Sequence, residues 1–328
     1  MAKKNDQPKE KFKTMIGGQA LIEGIMMRGP EKDAIVVRTA EGLKVDVKPR
    51  KVHKKGSIAT WPLIRGVIGF FDSQFTGVKA MMDSADLAPD EQQEEPSKFD
   101  KWLEKKLGNE KFQKVVLGFA VFIGLLMSVA LFFVLPILIG SFLQTWIHSD
   151  LLINLIEGAI RMIIFSGYML LISRMKEMRR VFAYHGAEHK TIRCYEAGLP
   201  LTVENVRKMT RLHPRCGTSF LLVVMLLSIL VFSLATWLIG LFPVLDFMVG
   251  SRLIKIFLKL ALLPVVVAIA YEINRWVGRH DNWFTKILTA PGMWFQNFTT
   301  VEPDDSMIEV GIAAVEAVLP EKEGDDLW

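Results

Sequence analysis

The chain has 328 residues, 51% of them hydrophobic, a mean hydropathy of +0.28 and a formal charge of +5. Apolar residues at that level, gathered into long uncharged runs, exclude an ordinary water-soluble domain and imply that much of the chain is dissolved in lipid. The modest positive charge sits beside those runs, which suits anionic headgroups and argues against DNA or RNA as a partner.

From the N-terminus, Met1 to Met15 is lysine-rich but is followed by no apolar core segment, so no cleavable signal peptide is expected. Gly17 to Gly24 reads as a strand beside tight turns. Ile35-Val36-Val37-Arg38, the Glu41-Gly42 turn and the alternating Leu43 to Val47 read as a small β-hairpin. From Trp61 to Met82, Ile64, Val67, Phe71, Phe75, Val78 and Met82 recur every three or four residues. That spacing predicts an amphipathic helix lying in the membrane interface or against the bundle. Three charges and three glycines in this stretch argue against its crossing the bilayer. Pro89 to Ser97 is an acidic linker, and Phe99 to Lys114 a charged helical lead into the membrane.

Four runs are long enough to cross a bilayer, which needs about 20 apolar residues in a helix. They are approximately Val115 to Leu143, Leu151 to Ile172, Ser219 to Leu241 and Ile254 to Ile273. Glu157 and Arg161 stand four apart in the second run and are expected to pair with each other; Lys259 and Pro264 lie in the fourth, where the proline predicts a kink. The stretch from Arg174 to Arg215 is crowded with basic residues, whereas the short loops around His148 and Asp246 have almost none. The positive-inside rule therefore puts that stretch, and both termini, in the cytoplasm of a multi-pass protein of the cell membrane. Trp276 to Phe298 reads as an amphipathic piece broken at Ala290-Pro291-Gly292. The expected organisation is a cytoplasmic N-terminal portion (1–98), a membrane bundle (99–300) with the cytoplasmic loop 174–218, and an acidic tail (301–328). The fold class is mainly α: a polytopic membrane helix bundle of about four spans, with a small β-containing N-terminal portion and amphipathic interfacial helices.

The loop carries the chemistry. His185-Gly186-Ala187-Glu188-His189 has the order H-x-x-E-H, which on a helix brings two imidazoles and a carboxylate to one face. In inverted zincins the two histidines hold zinc and the glutamate acts as general base. Gly198 and Pro200 mark the end of this helix, and a second short helix fits Val203 to Leu212 with Thr202 as N-cap. Two histidines need at least one more ligand, and His213, Cys216 and Glu272 all lie where a span meets the cytoplasm. If both His213 and Cys216 bind, the site is closed and structural; if only one does, a position stays open for chemistry. The two cysteines of the chain, Cys194 and Cys216, are expected as reduced thiols or metal ligands, and Cys194 stands half a helical turn from His185.

Several blocks are similar to one family. Gly17-Gly18-Gln19-Ala20-Leu21-Ile22-Glu23-Gly24-Ile25-Met26-Met27-Arg28-Gly29-Pro30, His185 to Lys190, His213-Pro214-Arg215-Cys216-Gly217-Thr218-Ser219-Phe220 and Tyr271-Glu272-Ile273-Asn274-Arg275 resemble the signature blocks of the bacterial YqhQ-like membrane proteins. The resemblance implies a metal near His185, because that family of unknown function is described as metal-dependent, and it supplies no substrate. Gln19, Glu23 and Arg28 read either as a polar strap beneath the loop or as turn and strand-edge chemistry.

Two functions fit. In one, the chain is a metal-dependent hydrolase at the membrane surface, with Glu188 as base, His185 and His189 as ligands, and a third ligand among His213, Cys216 and Glu272. In the other it is a noncatalytic scaffold or membrane-protein biogenesis factor, with a membrane-protein partner, in which a structural metal staples two loops. Zinc is the default cation for imidazole and thiolate, while iron or manganese also suits imidazole and carboxylate.

Overall fold

The computed structural model describes residues 11–50, 54, 56–87, 109–242, 251–322 and 324–327. The acidic linker Pro89 to Ser97, the first half of the charged lead from Phe99, and the loop around Asp246 lie outside the described residues. The chain divides into two compact units. One gathers Met1–Ala88, Tyr168–Leu227 and Pro264–Trp328; the other gathers Pro89–Gly167 and Ser228–Leu263.

The first unit is built on a four-stranded antiparallel meander, β1 (Gly17–Leu21), β2 (Gly24–Arg28), β3 (Lys32–Thr39) and β4 (Gly42–Pro49), in that spatial order. The expected hairpin is present, with Thr39 opposite Gly42 and Ala40-Glu41 between them. From Gly24 to Met27 β2 is apolar and buried because both of its faces are covered. Ile25 and Met27 face a core shared with Tyr184, Ala187, Val310 and Val315, while Met26 packs with Leu21 and Ala80 on the other side. β4, by contrast, leaves Leu43, Val45 and Val47 exposed, so its clean alternation does not correspond to a buried face.

Helix α1 (Ile64–Ala85) covers the second face of the sheet. Towards the sheet it presents the small residues Gly77, Ala80 and Ser84 with Met81 beside them, and a Cβ at Gly77 would run into the side chain of Gln19. Of the apolar stripe, Phe71, Phe75 and Val78 are exposed.

Among the described residues, four helices are long and apolar enough to cross a membrane: Gly118–Leu143, Leu151–Ile172, Gly217–Gly240 and Ile254–Arg279. The first comprises α2 (Asn109–Val129), a π-turn at Ala130–Val134 and α3 (Leu135–Leu143). The others are α4 (Asp150–Ile172), α7 (Gly217–Gly240) and α8 (Arg252–Arg279), the last continuous through Pro264. Between α4 and α7 lie α5 (Lys176–Glu196), which begins after a short break at Ser173 to Met175, and α6 (Val203–Arg207). α5 ends at Gly198, whose φ of +63° is the left-handed cap the sequence predicts, and the Thr202 side chain caps α6 at the Asn205 amide.

Two expectations for the C-terminal third need correction. α9 (Trp283–Thr299) runs unbroken through Pro291, starting from a reciprocal cap between Asn282 and Thr285. Residues 301–328 are more than an acidic tail, since α10 (Asp305–Val318) buries Met307, Ile308, Val310, Ala314 and Val315 in the core under the sheet. Its acidic residues lie on the solvent side, and they masked an apolar face in the overall charge of the segment.

Candidate metal centre

Helix α5 presents His185, Glu188 and His189 on one face, and the segment entering α7 brings Cys216 to it. One ligand atom each from His185, His189 and Cys216 lies within 4.8 Å of the others. The two imidazoles are held in the same way. His185 Nδ1 donates to the carbonyl of Thr299 at 2.8 Å, and His189 Nδ1 to the carbonyl of Arg211 at 2.6 Å. A carbonyl can only accept, so each Nδ1 carries a proton, and in the neutral ring Nε2 keeps a lone pair. His185 Nε2 is 3.2 Å from the Cys216 sulfur.

The outer contacts explain the local sequence. Gly186 faces the chain just after α9, and a Cβ there would meet the carbonyl of Val301; its absence lets residues 299 to 301 cross α5 closely enough to offer the Thr299 oxygen. The Val301 amide donates to the carbonyl of Phe182 at 2.8 Å, fixing that crossing. Gly18 has the same function on β1. Its amide donates to Glu188 Oε1 at 3.0 Å, and any side chain there would press on the Glu188 carboxyl.

Burial dominates the electrostatics. It pushes Glu188, 5% exposed, up to about 7, with the Cys216 sulfur adding to the rise and His185 opposing it. It pushes His189, 1% exposed, down to about 4, which leaves that imidazole neutral at physiological pH. Burial alone would raise the Cys216 thiol, but His189 and the Thr218 hydroxyl outweigh it and hold the group below its ordinary value. The cluster therefore joins the neutral imidazole of His189, the imidazole of His185, a thiol held below its ordinary pKa, and a carboxyl raised to about 7.

The other two candidate ligands go elsewhere. The His213 ring tilts against His189 at 5.5 Å between centroids, but its Nε2 faces Arg215 Nη2 at 3.3 Å and Glu196 Oε2 at 3.5 Å. Arg215 also pairs with Glu196, and burial together with Arg215 drives His213 well below its usual pKa. Glu272 is chelated by Arg65 and accepts from the Leu63 amide at 3.2 Å, so it serves the start of α1. Cys194 points away, into a pocket with Val206, Met209 and Ile308, where burial raises its thiol to about 11.

Residues the sequence did not single out complete the surroundings. Thr299 and Arg211 contribute main-chain oxygens, which no side-chain motif can reveal. Gln296 receives the His213 amide and donates to the His213 carbonyl, both at 2.7 Å, fixing the turn before Cys216. The N-terminal block does reach α5. Glu23, strained at φ +52° in the β1–β2 turn, is buried against Arg180 and the hydroxyl of Tyr184, which donates at 3.1 Å. Arg28 instead pairs with Asp33 and Asp72, and Gln19 lies against α1.

A family model described as a protein of unknown function, DUF1385, matches residues 61–321. The chain is also 31% identical over 319 residues to the "Uncharacterized protein YqhQ" of Bacillus subtilis (strain 168), covering 95% of this chain and 94% of that protein. The chain belongs to the DUF1385 family. No solved structure matches it. All three clustered residues, Glu188, and the outer Arg211 and Thr299 fall inside the DUF1385 match, whereas Gly18 and Glu23 precede it and are covered by the YqhQ comparison.

Proposed function

We propose that this chain is a multi-pass protein of the cell membrane, with its termini in the cytoplasm, that holds a divalent cation on His185, His189 and Cys216 and hydrolyses a substrate at the membrane surface. The observation that carries the reading is the pair of Nδ1 to carbonyl bonds, which commit both imidazole lone pairs to the neighbourhood of one sulfur. Histidines that ligate metals are held in this way by their second nitrogen. Two nitrogens and a thiolate suit zinc.

With His213 and Glu272 engaged elsewhere, the set among the described residues has three protein ligands, the number typical of catalytic rather than structural zinc. A cation bound there supplies Lewis acidity toward an ester, amide or phosphoester oxygen. Glu188, beside the ligands and raised to about 7, is suited to take a proton and return it at neutral pH, and the Gly18 amide orients its carboxyl. The four long apolar helices and the exposed apolar stripe of α1 fit a substrate drawn from lipid, with α1 as an interfacial helix.

One observation favours the second reading, a noncatalytic scaffold with a structural metal: Glu188, His189 and Cys216 are all buried. Glu188→Gln separates the two. The hydrolase keeps its metal, measured by elemental analysis of purified protein, and loses the cellular function of the gene by about 100-fold or more. If Glu188→Gln cells behave as wild type, hydrolysis is ruled out and the scaffold stands.

A further inference from the structure

The second unit contains a different polar cluster, buried among its helices. Glu157 on α4 pairs with Lys259 on α8, which also donates to Asn154 Oδ1 at 3.0 Å. Glu157 therefore does not pair with Arg161, its expected partner. Arg161 donates through Nε to the carbonyl of Phe132 at 2.8 Å and through Nη1 to the Ser228 hydroxyl at 2.7 Å, and packs against the Phe133 ring. The arrangement is built into the backbone. Pro136 has no amide to bond the carbonyl four residues back, so the Phe132 oxygen is released within the π-turn for Arg161 to take. Gly140 lets Glu157 approach, since a Cβ there would lie 2.6 Å from the carboxylate oxygen.

Among the described residues, the charges in this cluster do not balance. Arg161, Lys259 and Lys255 contribute three cations against the carboxylate of Glu157. Arg161 is 2% exposed, and among the described residues its Nη2 has no hydrogen-bond partner while Lys255 reaches Gln144 Oε1 at 3.4 Å. Beside them is a cavity of about 50 Å³, where polar Gln144, Asn154, Lys255 and Lys259, together with the Glu157 carboxylate that Lys259 neutralises, share the lining with apolar Ile153 and Ile239. Lys255 lies in the first turn of α8 and Gln144 just past the end of α3, so the mouth is at a helix end. Lys259 is one turn deeper, about 6 Å along the axis.

We propose that this cavity binds the phosphate of an anionic phospholipid. A buried excess of positive charge inside a lipid-embedded bundle is costly, and an anion received there offsets it. Phosphate is the anion that a membrane presents at the depth of a helix end, and basic pockets between spans receive such headgroups. The apolar part of the lining suits the attached acyl chain. This inference rests on the bilayer-spanning part of the proposed function and is independent of the metal centre.

Flotation of the purified protein with neutral phosphatidylcholine vesicles checks the spanning reading first, and failure there overturns that reading rather than this one. Thermal melts of delipidated protein in detergent are then compared with phosphatidylglycerol, phosphatidylcholine and inorganic phosphate. Phosphatidylglycerol is expected to raise the melting midpoint and phosphatidylcholine to leave it unchanged. Lys255→Gln should weaken the phosphatidylglycerol effect by about tenfold, the loss expected for one charge-assisted hydrogen bond, without moving the lipid-free midpoint. Native mass spectrometry should find phosphatidylglycerol retained on the wild-type chain. An equal rise with inorganic phosphate, abolished by Lys255→Gln, identifies the same site with free phosphate as its ligand. Identical melts with the two lipids, or undiminished phosphatidylglycerol binding by Lys255→Gln, overturn the proposal.

Discussion

Around His185 in the first unit, the polar groups are two imidazoles, a thiol and a carboxyl raised to about 7, and the imidazoles and the carboxyl are each tied to the main chain through one atom. Around Glu157 in the second unit, the buried groups are full charges, and among the described residues the pairing of Glu157 with Lys259 leaves Arg161 in excess. The first set is suited to receive a cation, whereas the second already holds one ion pair and a surplus of positive charge. The first arrangement is therefore vulnerable in what it binds, and the second in what it weighs in stability.

The largest expected effect tests the first half of that contrast. His189→Ala removes one of three clustered ligands, so metal per purified chain should fall from one to near none, an affinity loss exceeding about 100-fold. Unchanged metal content would show that His189 is a packing residue. Next comes the second cluster. Glu157→Gln leaves Lys259 buried without its counter-charge and should cost about 3–5 kcal/mol in detergent melts, while replacing both residues by Leu and Met should recover most of the loss. A single variant that melts like wild type would mean that water screens the pair.

Smaller changes sharpen the comparison. Gly186→Ala places a methyl group against the Val301 carbonyl, costs about 1–3 kcal/mol, and should weaken metal binding by about tenfold by moving the Thr299 oxygen from His185. Metal titration distinguishes this loss from simple destabilisation. The smallest effect is expected at the α10 N-cap, where Asp304 accepts from the Met307 amide at 3.0 Å. Asp304→Ala should cost about 1 kcal/mol with metal binding intact. Burial would raise the Asp304 carboxyl, but the Ser306 and Met307 donors outweigh it and hold it below the ordinary aspartate value. Its contribution is thus complete above the unfolded pKa and lost as pH falls through the depressed one, so the variant and wild type should converge in acid.

The long helices were plain in the sequence because a segment long and apolar enough to cross a bilayer shows itself in composition alone. The His185, Glu188 and His189 grouping was equally plain, since helical spacing alone sets it. Choosing among His213, Cys216 and Glu272 was beyond the sequence, because the choice depends on competitors far along the chain: Glu196 and Arg215 for His213, and Arg65 for Glu272. Helix α1 was legible as an amphipathic helix, but periodicity finds the apolar side of a helix without saying whether lipid or protein covers it. Main-chain acceptors such as Thr299 carry no residue-type signal at all.

Helix α10 sets the order in which this molecule can be made. Its apolar side completes a core that begins with Ile16, and Thr14 bonds to Asp326 across 312 positions, with Leu327 bridging back beside it. The nascent chain must therefore emit every long apolar helix before the sheet receives its last layer. Until α10 emerges, Tyr184 and its neighbours lack that covering layer, a window for chaperones or proteases that a faster-closing topology would not leave open. A stop codon just before Asp305 would spare each hydrophobic segment and still deny the protein a finished interior.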